Sequence, residues 1–376
     1  MSRVLAGGTA LMFLIGGGAV TAATTNVAAT ASVSAKSTPA ASASASAGNT
    51  PLVQVLAKRH HKKKHHHKKR HHKKHAKHAS ATGISVYSGT TRKWGGAINT
   101  GSPASVNAAY WRYYAPGLNV PTGYSADDSA CQLGTNTATS LAATRNAINF
   151  VRSMGGLAPV SFSSALNNRS QRTALIMSAN KRLSHAPSSS WRCYTSDGGA
   201  NAGRSNLALS YPSITSAGVV GLYMSDPGGS NFAAGHRRWV LNPFATQMGS
   251  GSTNTANALT VVGPSSSARP NPTFVSWPTA GWFPNAIEPD GRWSLSAGNK
   301  KVNFAGAGVS VYRNGQRISA TKSPVENGYA QPTLVFNIPA SQAKTGTYTV
   351  VVNNIKTGGS RSYSYKYQVK MFAPSH

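Results

Sequence analysis

Carboxylates are what this chain has least of. Of 376 residues, 7 are Asp or Glu against 38 Lys or Arg, which leaves a formal charge of +31. Any carboxylate acid, base or metal ligand must therefore come from Asp127, Asp128, Asp197, Asp226, Glu288, Asp290 and Glu326. The imbalance favours anionic partners: an acidic cell-wall polymer, a phospholipid surface or extracellular nucleic acid. Composition does not choose among them. Cysteine is nearly absent as well, with only Cys131 and Cys193. In an oxidising compartment two thiols pair as one disulfide, and the alternative is two free structural thiols. Neither lies in a context that would activate a nucleophile. Beyond Ile15 no stretch approaches the roughly 20 apolar residues that a spanning helix needs.

What is present begins with Arg3, an apolar run at Leu11-Met12-Phe13-Leu14-Ile15 and small residues at Ala19-Val20-Thr21-Ala22-Ala23. This is the pattern of a secretory signal over 1–23, and it predicts an exported chain. A membrane anchor is the alternative, but Gly16, Gly17 and Gly18 break the run. Residues 24–57 are rich in Ala, Ser and Thr and read as a disordered linker, too polar to offset ordering entropy. A Lys/His tail follows over 58–79, with Lys62, Lys63, Lys64, Lys68, Lys69, Arg70, Lys73 and Lys74 among its cations. Like charges keep such a segment extended, and behind a signal peptide it suits attachment to an anionic envelope. Its histidines add charge below about pH 6.5 and could bind transition metals loosely. Residues 80–132 read as an irregular extension, and Ala109-Tyr110-Trp111-Arg112-Tyr113-Tyr114 as aromatics that pack on a neighbouring domain or stack on sugars or bases.

Periodicity becomes legible at Thr139-Ser140, which read as N-caps before Leu141, Ile148, Val151 and Met154 on one helical face. Gly155-Gly156 ends that helix. A second helix is expected over 163–183, with His185 just beyond it, where the helix dipole favours a cation. Residues 191–199 read as a loop around Cys193. A third helix over 215–224 stops at Asp226-Pro227-Gly228-Gly229. Gly235-His236-Arg237-Arg238-Trp239 reads as a short helix or strand, and 247–251 with 258–262 as a hairpin. The whole is expected to be α+β. From Phe274 the character changes to short alternating β-prone runs, with a hairpin turn at Asn314-Gly315. These predict a small immunoglobulin-like β-sandwich over 272–372. Tyr363, Tyr365 and Tyr367 share one strand face, as packing or as a polymer platform.

Leu157-Ala158-Pro159-Val160, Leu183-Ser184-His185, Ser205-Asn206-Leu207-Ala208, Gly235-His236-Arg237-Arg238-Trp239 and Met248-Gly249-Ser250-Gly251, in that order, resemble the CAP superfamily in its divergent bacterial branch. The superfamily comprises cysteine-rich secretory proteins, venom antigens and pathogenesis-related proteins. The resemblance implies a three-layer α-β-α sandwich over 133–264, with a cleft of two histidines and two glutamates that can hold zinc. By position His185 and His236 match the histidines, and Ser205 stands where the family has a glutamate. Asp226 is the one acidic residue available for the other. The implied cleft is then lined by His185, Ser205, His236 and Arg237, with Arg237 and Arg238 as candidates for an anionic ligand. Two imidazoles alone make a weak zinc site, because catalytic zinc takes three protein ligands. The expected function is non-enzymatic, an exported monomer tethered by its tail. The alternatives are a metal-dependent hydrolase or peptidase using His185, His236 and Asp226, and a carrier of a small hydrophobic ligand such as a lipid or sterol.

Overall fold

The structure, a computed structural model, describes residues 98–358 and 361–376, together with two short strands at 54–56 and 85–86. The signal segment 1–23 and the basic tail 58–79, with Lys62 to Lys74, lie outside the described residues. So does the linker 24–57, apart from its last strand. The helices are α1 (Pro103–Ala109), α2 (Ala138–Met154), α3 (Ser164–Ala179), α4 (Ser196–Ala202), α5 (Gly218–Ser225) and α6 (Gly235–Val240). The first strands are β1 (Gln54–Leu56), β2 (Ser85–Val86), β3 (Ser161–Phe162), β4 (Ser205–Leu209), β5 (Gln247–Ser252) and β6 (Ala256–Thr260). No helix among the described residues is long and apolar enough to cross a membrane.

Five strands form the first sheet in the order β1-β4-β6-β5-β3. Side chains on a strand alternate between faces, and here the alternation separates two cores. Leu207 and Leu209 of β4 and Ala258 of β6 pack with Ala174, Ile176 and Met177 of α3 and with Ala202 of α4. Ala208 and Leu259 point the other way, into a core with Ile148 and Val151 of α2, Val220 of α5 and Val240 of α6. Helices thus cover both faces, and the α-β-α sandwich is the observed architecture. The α3 backbone lies directly on β5, since a Cβ at Gly251 would stand 2.1 Å from the Gln171 nitrogen. Only glycine permits that approach.

Local chemistry sets the ends. Thr137, in extended conformation, caps α2 by accepting from the Ser140 N–H, which places Thr139 and Ser140 inside the first turn rather than at the cap. Gly156, at φ +68°, turns the chain out of it. The second helix stops at Ala179, short of the expected 183, and Lys181 takes a left-handed conformation.

Three stretches differ from expectation. Within the linker, Leu52-Val53-Gln54-Val55-Leu56 is a β-prone run, and Gln54–Leu56 pairs antiparallel with β4. The extension expected to be irregular is helical from α1 through Tyr110–Tyr114 and Ala115–Asn119. Tyr110 and Tyr114 are stacked 5.8 Å apart and pack on Phe150 of α2, so burial of aromatic surface orders the segment. The expected loop around Gly198-Gly199 is α4, capped by Thr195.

The second half holds β7 (Phe274–Trp277), β8 (Gly281–Pro284), β9 (Arg292–Ala297), β10 (Val302–Asn303), β11 (Gly308–Arg313), β12 (Gln316–Ile318), β13 (Thr321–Lys322), β14 (Thr333–Asn337), β15 (Gly346–Thr357) and β16 (Ser362–Phe372). One sheet runs β13-β14-β9-β7 and the other β12-β11-β15-β16-β2, with β8 and β10 beside it. They face each other through Trp293 on Tyr348 at 5.1 Å and Phe274 on Tyr365 at 4.5 Å. Tyr365 and Tyr367 are buried, so the tyrosine row is packing. The main core is continuous from α2, α5 and α6 into this sandwich.

Candidate functional site

The residues with chemical potential gather where α5 ends and α6 begins. Asp226 closes α5 in a left-handed conformation (φ 52°), and Ala234 (φ 48°) re-enters the helical track at α6. This turn folds the Asp226 carboxylate over the first turn of α6. Its Oδ2 accepts the Arg237 N–H at 2.9 Å, and its Oδ1 contacts the Nδ1 of His236. A carboxylate is favoured at a helix N-terminus, and a buried one must be paired. Both conditions are met, because Asp226 and His236 are each 0% exposed.

Around the imidazole the polar groups are tightly engaged. Tyr223 stacks on the ring at 5.7 Å and donates its hydroxyl to Asn257 Oδ1 at 2.7 Å. Burial pushes the Tyr223 phenol well above its ordinary pKa. Asn206 donates to the His236 carbonyl at 3.1 Å. Asn257 in turn donates to Ser250, Gly251 and Ser252. His236 Nε2 and Asn206 Oδ1 are buried without a hydrogen-bond partner among the described residues. A carboxylate on Nδ1 fixes the imidazole's orientation and with it the direction of Nε2. Here that nitrogen is shut away from solvent.

The arginines of the same segment are not a ligand surface, contrary to expectation. Arg237 is 1% exposed and donates to the carbonyl of Met224 at 2.6 Å and to Ser294 of β9 at 3.0 Å. Burial lowers its pKa to about 10, against the opposing pull of Asp226. Arg238 is 3% exposed, donates to the carbonyls of Gln331 at 2.6 Å and Glu326 at 3.0 Å, and stacks under Tyr329. Both guanidiniums bind backbone or hydroxyl oxygens across the junction with the sandwich. They are buried because their forked donors satisfy several oxygens at once.

The other expected cleft residues lie elsewhere. Ser205 has the parity of Leu207 and faces the α3/α4 layer, where it donates to the Asn201 carbonyl at 2.9 Å and meets Thr260. Asn206, its neighbour, faces His236, so Ser205 and His236 are on opposite sides of β4. His185, partly exposed beyond α3, places Nδ1 2.8 Å from the carbonyl of Ala202 in α4. The implied zinc needs three converging ligands. Among the described residues no three His, Cys, Asp or Glu side chains converge, and Asp226 is already committed to His236 and Arg237. The donor set does not fit a zinc centre.

Cys131 and Cys193 are joined in a disulfide across 62 residues of sequence. Sequence reasoning missed Tyr223, Asn206 and Asn257. Only Asn206 carried a signal, as part of Ser205-Asn206-Leu207-Ala208. Comparison with known families gives a match to the cysteine-rich secretory protein family, CAP, over residues 145–263. That span runs from within α2 to just past β6 and contains both histidines. A search of curated proteins returned no match.

Proposed function

The chain carries a CAP domain over residues 145–263, and from that premise we propose that it is an exported, non-enzymatic protein held on an anionic cell envelope by its basic tail. The observation that carries the non-enzymatic part is the commitment of Asp226. Its carboxylate pairs with a buried histidine and caps α6, and Ser205 replaces the carboxylate the family has on β4. Neither is left to activate water. A serine in that place has no oriented base beside it either, being bonded to Asn201 and Thr260.

The attachment rests on charge. The segment 58–78 concentrates Lys and Arg in a chain already at +31, and such segments bind polyanions through long-range attraction. Sedimentation of the mature protein with isolated envelopes is the test. Binding should be strong at low salt, fall at about 0.5 M salt where charges are screened within a few Å, and be lost on deleting 58–78. Binding that survives the deletion would sink the tether. For the hydrolase alternative, the tail-deleted protein would have to hold stoichiometric zinc that His185→Ala releases.

A further inference from the structure

A groove of about 500 Å³ opens at the junction of the two halves, and neither His185 nor His236 lines it. Trp239, Phe244 and Val262 line it from the CAP side, and Lys300 and Tyr329 from the sandwich. Its volume lies within the roughly 300–1,000 Å³ of small-ligand sites, which favour domain junctions. Three features separate it from a casual crevice.

The aromatic walls are held in place from behind. The guanidinium of Arg238 lies 4.9 Å from the Tyr329 ring centroid, and its donors fix the Glu326 and Gln331 carbonyls on either side of that residue. Phe244 is set by its own N–H on the Asn242 side chain at 3.2 Å. The groove also carries one sign of charge. Lys300 places its ammonium 5.6 Å from the Phe244 ring centroid, and among the described residues none that lines the groove is acidic. Finally, the lining mixes rings with polar groups such as Ser265 and is open to solvent, unlike a closed channel for an acyl chain.

Aromatic rings and polar edges beside a cation match a ligand with apolar ring faces, hydroxyl rims and a carboxylate. We propose that this groove binds an acidic polysaccharide, with sugar rings against Phe244 and Tyr329 and a carboxylate on Lys300. The acidity of the ligand rests on the envelope reading above, and the binding mode does not involve the tail. The groove would recognise a segment of the polymer that the tail holds by charge alone.

The experiment is titration calorimetry of the full mature chain with a hyaluronate hexasaccharide at about 0.5 M salt, which suppresses the tail's contribution. The wild type should bind, and Phe244→Ala and Tyr329→Ala should each weaken binding about tenfold, a loss of one ring contact. Lys300→Gln should abolish the preference for this sugar over its carboxyl-reduced form. Melting temperatures of the variants check that they remain folded. The proposal is overturned if the wild type does not bind, if all three variants bind as it does, or if oleate rather than the sugar binds and depends on Tyr329. Envelope sedimentation reads the tether separately. Retained sedimentation with no hexasaccharide binding refutes the groove alone, and the reverse outcome refutes the tether alone.

Discussion

His185 sits partly exposed beyond α3 and gives one ring nitrogen to a neutral carbonyl, whereas His236 is fully buried and faces a carboxylate. They are the same residue type, both expected in one cleft, yet they answer to different physics. Removing the first takes one partner from a neutral carbonyl. Removing the second strands a charge in a core. The contrast teaches that the consequence of losing a histidine is decided by what its partner becomes, and position in a family motif does not report it.

The largest expected effect tests this directly. His236→Ala should cost about 3–5 kcal/mol, because it leaves Asp226 buried without its ring partner. His185→Ala should cost about 1 kcal/mol. Urea unfolding of the two variants measures both, and equal losses would break the comparison. Next comes the Cys131–Cys193 bond, which tethers the loop leading into α4, on the side of His185. Its reduction should cost about 2–4 kcal/mol. Because the disulfide shares no partner with His236, the two losses should add within about 0.5 kcal/mol in the reduced His236→Ala protein. Strong non-additivity would mean the two sides are coupled through the sheet.

The smallest effect is a pH slope on the His236 side. Glu288 accepts from the Trp293 indole at 2.6 Å and from Gly291, and burial raises its pKa above the usual carboxylate range. The folded state therefore holds this proton more tightly than the unfolded chain. Between the unfolded pKa, about 4.3, and the raised folded value, this residue's contribution to stability falls as pH rises. Glu288→Gln removes that slope and keeps an acceptor for Trp293. Stability curves of the two proteins against pH should diverge above about pH 4, with the variant relatively favoured on the alkaline side. Parallel curves would show that the carboxyl is effectively solvated.

Much of the architecture was legible because it depends on local pattern. The apolar stripe of α2 and the runs at 247–251 and 258–262 place a helix and a hairpin without tertiary knowledge, whereas Ser205-Asn206-Leu207-Ala208 read as a motif and not as a strand. α4 was not legible. Gly198 and Gly199 read as loop residues, but at Gly199 a Cβ would stand 2.4 Å from the Tyr194 ring, so the glycine answers to close packing rather than to a turn. Nor was the burial of Arg237 and Arg238. An arginine pair in a basic chain looks like surface, and only the carbonyls of Met224, Glu326 and Gln331, distant in sequence, reveal otherwise. The side of β4 that Ser205 faces could be inferred from alternation once the strand was known. The separation of His185 from His236 could not, because it depends on where two loops settle.

The two arginines also bear on how such a protein can be inherited. A domain that travels between genes as an independent cassette must carry a closed surface with it. Here the family match ends at residue 263, but the hydrogen bonds from Arg237 to Ser294 and from Arg238 to Glu326 and Gln331 cross that line. Severed there, Arg237 would keep the Met224 carbonyl but lose the Ser294 hydroxyl, and Arg238 would lose the Glu326 and Gln331 carbonyls. The boundary recognised by sequence similarity is therefore not a boundary of stability, and recombination at this point would have to replace both partners together.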